Sequence, residues 1–320
     1  MSYQERDAKK RKTAQHGAGK PASFQQSSQF AGQTGRNWTV SVAFPTSTLT
    51  NLSNAEQRIQ LPGRIARALA IFSVDEVIIF DDTPVSARPR NTDTTAYTGD
   101  TDPTHFLSHI LSFLEAPPFM RKSLFGLHPN LRITALLPTL DMPHHPHPKE
   151  WLPYREGVTV AGKTSTGKGT LVEIGTEAPA EIDEDIPLKT RVTLKFSETD
   201  ETERPQCVHP HAPRTEAGYY WGYTVRKSDS LSNVFTESPY DEGYDISIGT
   251  SERGTPVKEV GLEFAAMNDE QLGGMGISGG KTRELFDHWV NVLPGQGSRT
   301  IRTEEAMFIA MTALSGLWAH

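Results

Sequence analysis

The sequence predicts an α/β protein with a largely parallel sheet and a small β-barrel inserted into it. Three observations predict this. Strand-like and helix-like stretches alternate over the first part of the chain, in the order strand, helix, strand, helix, strand. From Tyr154 to about Arg214 the helical pattern stops, and short strands follow one another between Gly-, Pro- and acid-rich turns. Near the C-terminus a buried strand, a glycine loop and a helix N-terminus come in succession, a frequent ligand-binding arrangement of α/β folds.

Residues 1–36 are rich in Gln, Ser, Gly and Lys and read as a disordered basic tail. Seven basic groups there outweigh Glu5 and Asp7, so the tail carries +5 of a total of −7 and leaves −12 for the remainder. Lys9–Lys12 (KKRK) reads as a nuclear import signal or a nucleic-acid-binding arm. Trp38 to Phe44 alternates and is β-branched, which makes a strand. Ser53 opens a helical stretch that breaks at Pro62–Gly63 and resumes through Ile65, Leu69 and Ile71. Val77 to Phe80 is a continuous apolar run, as expected of a buried parallel strand. Residues 83–101 form a polar loop. Asp102–Pro103 starts a helix in cap-then-proline order, and Ile133 to Leu137 is the next strand.

The inserted β-barrel spans 148–215, between 37–147 and 216–320 of the main domain. Its strand candidates are Gly157 to Ala161, Thr170 to Ile174 and Arg191 to Phe196. Tyr219 to Arg226 returns the chain to the main domain. Ser230 to Phe235 is helical, and Tyr244 to Ile248 is a strand with Gly249–Gly254 (GTSERG) as its loop.

The last strand, Trp289 to Leu293, leads into Pro294, Gly295 and Gly297, where the backbone can turn sharply or approach a ligand. Ser298, Arg299, Thr300, Arg302 and Thr303 follow. Thr303 is the expected N-cap of a buried helix, with Glu304 and Glu305 serving the helix dipole in its first turn. GTSERG has the same make-up of glycine, hydroxyls and arginine. The two loops, side by side at the carboxyl edge of one sheet, suit a ligand with polar and planar parts.

Bulk properties narrow the function. A chain of 320 residues can bury a sizeable core. No apolar run approaches the roughly 18–20 residues needed to span a bilayer, and the charged N-terminus lacks the apolar core of a signal peptide. The single cysteine, Cys207, excludes an intramolecular disulfide and suits a reducing compartment. The net charge of −7 argues against wholesale attraction to nucleic acid, and any such contact by the folded part must use local patches rather than an overall field. Gly162–Gly169 (GKTSTGKG) has phosphate-loop spacing, but Gly169 stands where a hydroxyl should hold magnesium, and a strand follows, so it reads as a hairpin turn. Gly280–Lys281–Thr282 has the right ending with Met275 in place of the first glycine. His144, His145 and His147, with His209 and His211, invite a metal reading, but interleaved prolines and the lack of a thiolate cluster weigh against one. Cys207 shows no sign of activation.

Taken together, IARALAIFSVDEVIIFDD, LPTLDMPHH, PYREGV, YDISIGTSERG and LFDHWVNVLPGQGSRTIRTEEA resemble a eukaryotic and archaeal family of RNA methyltransferases, a branch of the SPOUT class. The resemblance spans roughly Trp38 to Leu317. It implies a trefoil-knot domain, which connection rules alone would not suggest, an OB-like insert and a homodimer in the nucleus or nucleolus. S-adenosyl-L-methionine is the implied methyl donor and RNA, above all ribosomal RNA, the acceptor, with uridine ring nitrogen 3 proposed for this branch. Carried over by position, Thr250, Arg253 and Gly254 of the first loop and Asn291, Pro294, Gln296, Gly297, Thr300 and Ile301 of the last hold the cofactor. Arg299, Asp141, His144 and His145 face the RNA, and no metal is implied. Removing a uridine imide proton needs a base or a cation that stabilises the anion, and Arg302 is the candidate cation.

One departure from the family pattern stands out. A strong apolar strand ending in a Gly-Gly turn is expected before Gly261–Leu262–Glu263, yet Val257–Lys258–Glu259–Val260 runs directly into it. Loss of a central strand would open the sheet. The alternative to a methyltransferase is therefore a non-catalytic RNA-binding or ribosome-assembly factor.

Overall fold

The least polar stretch of the chain sits at the centre of a parallel sheet. Val77, Ile78 and Ile79 are all at most 1% exposed, as a strand covered on both faces requires. The computed structural model describes residues 35–84, 86, 97–148, 150, 152–197, 203–260 and 282–317. The expected basic tail with its KKRK, most of the polar loop after Thr83, and Gly280–Lys281 lie outside the described residues.

In chain order the first elements are β1 (Ser41–Pro45), α1 (Ser47–Thr50), α2 (Ala55–Ile71), β2 (Glu76–Phe80), α3 (Pro103–Glu115) and α4 (Pro118–Leu124). A 3-10 helix, Pro129–Leu136, follows. Next come β3 (Tyr154–Val160), β4 (Thr170–Glu173), β5 (Ala180–Ile182), β6 (Arg191–Lys195), β7 (Gln206–Val208) and α5 (Ala212–Ala217). The chain closes with β8 (Thr224–Ser228), α6 (Leu231–Thr236), β9 (Ile248–Pro256), β10 (His288–Asn291) and α7 (Thr303–Leu314).

Packing divides the chain into two units. One holds Ala116–Gly126 and Asp141–Trp221 with the described residues up to Trp38; the other holds Thr39–Glu115, Leu127–Leu140 and the described residues from Gly222 onward.

In the second unit β1, β2 and β8 form a three-stranded parallel sheet with β2 in the middle. β9 and β10 pair parallel in a separate two-stranded sheet. Among the described residues no strand joins the two.

Two elements differ from expectation. Helix α2 runs unbroken through Pro62 and Gly63, both buried. Pro62 removes one backbone hydrogen bond, but Leu61, Ile65, Ala66, Ala68 and Leu69 bury one face of the same helix, and that burial outweighs local propensity. Asn54, not Ser53, caps it, its Oδ1 accepting from Glu56 N–H at 2.8 Å. Ile133 to Leu137 is not a strand. It belongs to the 3-10 helix, where the Thr134 hydroxyl donates to Leu131 O at 2.6 Å, a local bond that competes with extended backbone; Leu136 is 74% exposed.

The first unit carries a five-stranded antiparallel sheet in the order β5-β4-β3-β6-β7. Val172, Ile174, Ile182 and Leu194 form its core, with Cys207 packed against them. Burial pushes the Cys207 thiol up, so it is a packing residue rather than a nucleophile. β3 also buries Glu156, whose carboxylate accepts from Arg191 Nε, the Thr193 hydroxyl and Trp221 Nε1, each at 2.6 Å. A buried carboxylate survives when its lone pairs are filled this way. The end strands β5 and β7 pair with β4 and β6 respectively and, among the described residues, not with each other.

Candidate functional site

The β9–β10 pair is unusual in its register. Trp289 lies opposite Gly249, but the next residue, Val290, lies opposite Thr255. Five residues, Thr250 to Gly254, are therefore extruded opposite a single step of β10. The GTSERG loop expected after a strand is in fact a wide bulge within one, and the expected strand Tyr244–Ile248 only begins at Ile248. Bulges of this kind bend a strand and re-aim its side chains.

Glycines permit the arrangement. A Cβ at Gly254 would lie 2.3 Å from the Val290 carbonyl carbon, and one at Gly249 would lie 2.4 Å from the Trp289 ring. The bulge is closed by Asn291, whose Nδ2 donates to Glu252 O at 3.0 Å while its Oδ1 accepts from Leu293 N–H at 3.0 Å. Asn291 is thus the shared root of the bulge and of the glycine loop that follows β10.

Aromatic rings back this pair. Phe235 on α6 packs edge-on against Tyr244 and Phe286, and Phe286 against Trp289. The Ser247 N–H and hydroxyl both donate to Asp287 Oδ2, at 2.7 and 2.6 Å, fixing where the two strands start. Tyr244 donates to Glu76 Oε2 at 2.7 Å, and Glu76 also pairs with Arg226 Nε at 2.8 Å. Burial, then the Glu76 bond, pushes the Tyr244 hydroxyl up to about 12, so it stays a donor at neutral pH.

The loop after β10 is exposed, and β10 ends at Asn291 rather than Leu293. Gly295 has φ +80°. Gln296 Nε2 donates to Ser298 O at 3.0 Å and the Ser298 hydroxyl to Thr300 O at 2.9 Å. Arg302, not Thr303, is the N-cap residue of α7. Its backbone N–H donates to Glu305 Oε2 at 3.0 Å, so Glu305 serves the helix start. Glu304 is buried and pairs with Arg64 at 3.3 Å.

The structure thus gathers Thr250, Arg253, Gly254, Asn291, Pro294, Gln296, Gly297, Thr300, Ile301 and Arg302 on two loops and one helix start in the second unit. Asp141, His144 and His145 belong to the first unit. His144 is fully buried, its ring packed on His145 and Trp221. Of these three, Asp141, with φ +53°, is exposed and His145 is half-buried. The sequence reading missed this because histidines between prolines look like an exposed loop.

The near-miss phosphate loop is a hairpin turn. Thr164 donates to Lys168 O at 2.7 Å. Glu181 accepts from both the N–H and hydroxyl of Ser165, and Arg204 closes the turn onto Glu181 and Asp183. A carboxylate holds the place where an anion would have to sit. No cluster of three metal-ligating side chains occurs among the described residues.

Comparison with known proteins gives this geometry its family. A family model described as "Putative RNA methyltransferase" matches residues 39–264 and 258–314. The chain belongs to this RNA methyltransferase family. A human protein named 28S rRNA (uridine-N(3))-methyltransferase is 40% identical, covering 88% of this chain and 78% of its own. Its namesake in Drosophila melanogaster is 41% identical over 86% of this chain and 61% of its own, and that in mouse 39% identical over 88% and 77%.

The match to the RNA methyltransferase family falls in two pieces that overlap at 258–264, where the sequence lacks the expected strand. The alignment with the human relative is 298 positions long yet takes in only 88% of this 320-residue chain, so some of its positions have no counterpart here.

A family of this kind needs a methyl donor, and the two loops fit one. Gly249 and Gly254 hold the bulge against β10 where a side chain would clash. No atom lies within 4 Å of a Cβ placed at Gly297, so that stretch of backbone is open to a ligand. The two loops carry hydroxyls, an amide and guanidiniums, donors suited to ribose and carboxylate oxygens.

Proposed function

We propose that this chain methylates ring nitrogen 3 of a uridine in ribosomal RNA, using S-adenosyl-L-methionine held between the 250–254 bulge and the 292–302 loop. The observation that carries the reading is the convergence of both loops on Asn291, with the second loop running on to the N-cap of α7. Relatives of about 40% identity that bear this activity in their names support it. The same reading includes a SPOUT-type trefoil knot, an OB-like insert, a homodimer and a place in the nucleus or nucleolus.

When bound, the cofactor supplies an electrophilic methyl group. The chain's own work is to bind, orient and handle one proton. Thr250, Arg253, Gln296 and Thr300 offer donors to the ribose and carboxylate, while backbone at Gly254, Gly297 and Ile301 meets the adenine edge. Pro294 and Asn291 fix the loop's path. The uracil imide must lose its N3 proton, to solvent water, before or as the new N–C bond forms and the methyl–sulfur bond breaks. Arg302, exposed at the N-cap of α7, stabilises the resulting negative charge. Arg299 contacts RNA phosphate, and Asp141 and His145 line an RNA-facing turn. In-line displacement leaves little more for the protein to do than hold the two reactants in register.

Two measurements test this together: calorimetry with S-adenosylhomocysteine, and transfer of labelled methyl to 28S rRNA followed by nucleoside analysis. Micromolar binding and 3-methyluridine are expected, and Gly254→Val should weaken binding by about tenfold or more, because its side chain meets β10 backbone. RNA binding without cofactor binding would instead favour a non-catalytic assembly factor. The break between the two parallel sheets among the described residues is the observation that favours that second reading.

A further inference from the structure

The reactive end of the 292–302 loop is held by α7, and α7 is held from the other end of the sequence. Asn291 ties the root of the loop to Glu252 O, but beyond it the side-chain bonds given for the loop are local: Gln296 to Ser298 and Ser298 to Thr300. None of these fixes where Arg302 points relative to the rest of the unit. The first turn of α7 does, through two side-chain bonds. The Thr303 hydroxyl meets the Thr48 hydroxyl at 3.2 Å, and the Glu304 carboxylate meets Arg64 Nη1 at 3.3 Å.

Both partners stand on rigid ground. Thr48 lies on the four-residue α1, too short to hold itself. An outside carboxylate holds it instead: Asp82 Oδ1 accepts from Ser47 N–H at 2.9 Å and from the Thr46 hydroxyl at 3.0 Å. Thr46 and Leu49 are buried, at 0% and 1% exposed, and Thr46 N–H donates to Phe80 O at 3.0 Å. Thr48 is therefore presented from the carboxyl edge of β1 and β2. Arg64 stands on α2 and is steadied by Gln60 Oε1 at 3.1 Å. Further along, Phe72 packs edge-on against Phe308, which seats the rest of α7 along the end of α2.

We propose that Thr48 and Arg64 are positioning residues for the transfer: they clamp the first turn of α7 so that Arg302 is fixed against the acceptor base. Glu304 is the buried end of one tie and Thr303 the half-buried end of the other. Glu304 is 8% exposed at its side chain while Arg64 is 46% exposed, so the carboxylate depends on the tie more than the guanidinium does. The proposal rests on the methyltransferase reading above, and its test separates the two.

Thr48→Val keeps the shape and removes the hydroxyl; Arg64→Ala removes the cation; Arg64→Lys keeps it. In the full chain, single-turnover methylation of 28S rRNA should fall about tenfold in Thr48→Val and Arg64→Ala, the scale of loss expected from small misplacement. KM for the RNA should change much less than kcat, and Arg64→Lys should recover most of the rate. Hydrogen exchange of the 298–305 amides should speed up in the first two variants while that of β2 does not. If the parent methylates and both variants keep its kcat at temperatures where they are fully folded, the clamp is wrong. If the parent does not methylate, exchange decides: unchanged protection at 298–305 overturns the clamp, whereas faster exchange upholds it and leaves only the methyltransferase reading to fall.

Discussion

Tyr97 and the three histidines around it show how much one residue's surroundings can decide. Its ring is stacked between His105 and His128, with centroids at 4.0 and 4.6 Å, and its hydroxyl meets His109 Nδ1. Burial, then the neighbouring His128 and His105, lowers His109 to about 4. His105 is lowered too, by burial first and then Lys227, against the pull of Asp102. His109 therefore stays neutral in the fold and accepts from Tyr97, while in the unfolded chain it gains a proton near pH 6.5. The folded form binds fewer protons between those values, so stability is full above pH 6.5 and falls as pH drops toward 4. Urea unfolding at pH 7.0 and 5.0 should differ by on the order of 1 kcal/mol after allowance for partial solvent screening. His109→Gln should flatten most of that difference; an equal slope in the variant would show that other groups carry it. The sequence marked only part of this cluster: His105 and His109 are one turn apart on α3, but Tyr97 and His128 join them only through the fold. By contrast Glu305 was legible, since an acid two residues past a threonine at a helix start has few other uses.

At the level of elements, strands with continuous apolar runs and helices with a clear cap read correctly, as β2 and α3 do. One failure came where tertiary contact reversed a local preference. Pro62–Gly63 predicts a break, yet α2 continues because both residues face the core. Gly63 is there for space: a Cβ would lie 2.9 Å from Pro138 Cδ and 3.1 Å from Leu137 Cδ2. Gly63→Ala would gain about 1 kcal/mol of helix propensity but push a ring and a branched side chain that have little room to yield. The net expectation is destabilisation of about 1 kcal/mol, the low end for overpacking, seen as a lower midpoint in thermal unfolding. A raised midpoint would mean the 137–138 segment moves freely. The GTSERG bulge is a subtler case: its composition signalled a loop, but only the register of β9 against β10 shows that strand pairing resumes at Thr255.

For the molecule as a whole, charge is the quantity that constrains function most. The chain is acidic, at −7 over 320 residues, yet its proposed acceptor is a polyanion. Long-range attraction to the part beyond the basic tail therefore contributes little, and binding there must come from a few guanidiniums placed where the RNA is held. Arg253, Arg299 and Arg302 are exposed on the two loops that meet at Asn291, while Arg64, Arg191, Arg204 and Arg226 are tied to carboxylates. Among these seven described arginines the exposed and the carboxylate-tied thus segregate, and the exposed set is the better placed to displace counterions from RNA. Each phosphate contact to a single strand steepens the fall of log affinity with log salt by about 0.7. A protein relying on two or three such arginines should show a shallow slope, near −2 rather than the steep dependence of basic RNA binders. Arg299→Ala and Arg302→Ala should each reduce it by roughly 0.7, whereas Arg204→Ala should leave it unchanged. They differ in one further respect: Arg302→Ala should also cut the methylation rate at saturating RNA, because its charge is used at the reacting nitrogen, and Arg299→Ala should not. A steep slope that neither substitution alters would place the RNA contact on other residues, and the arginine-bearing loops would then serve the cofactor alone.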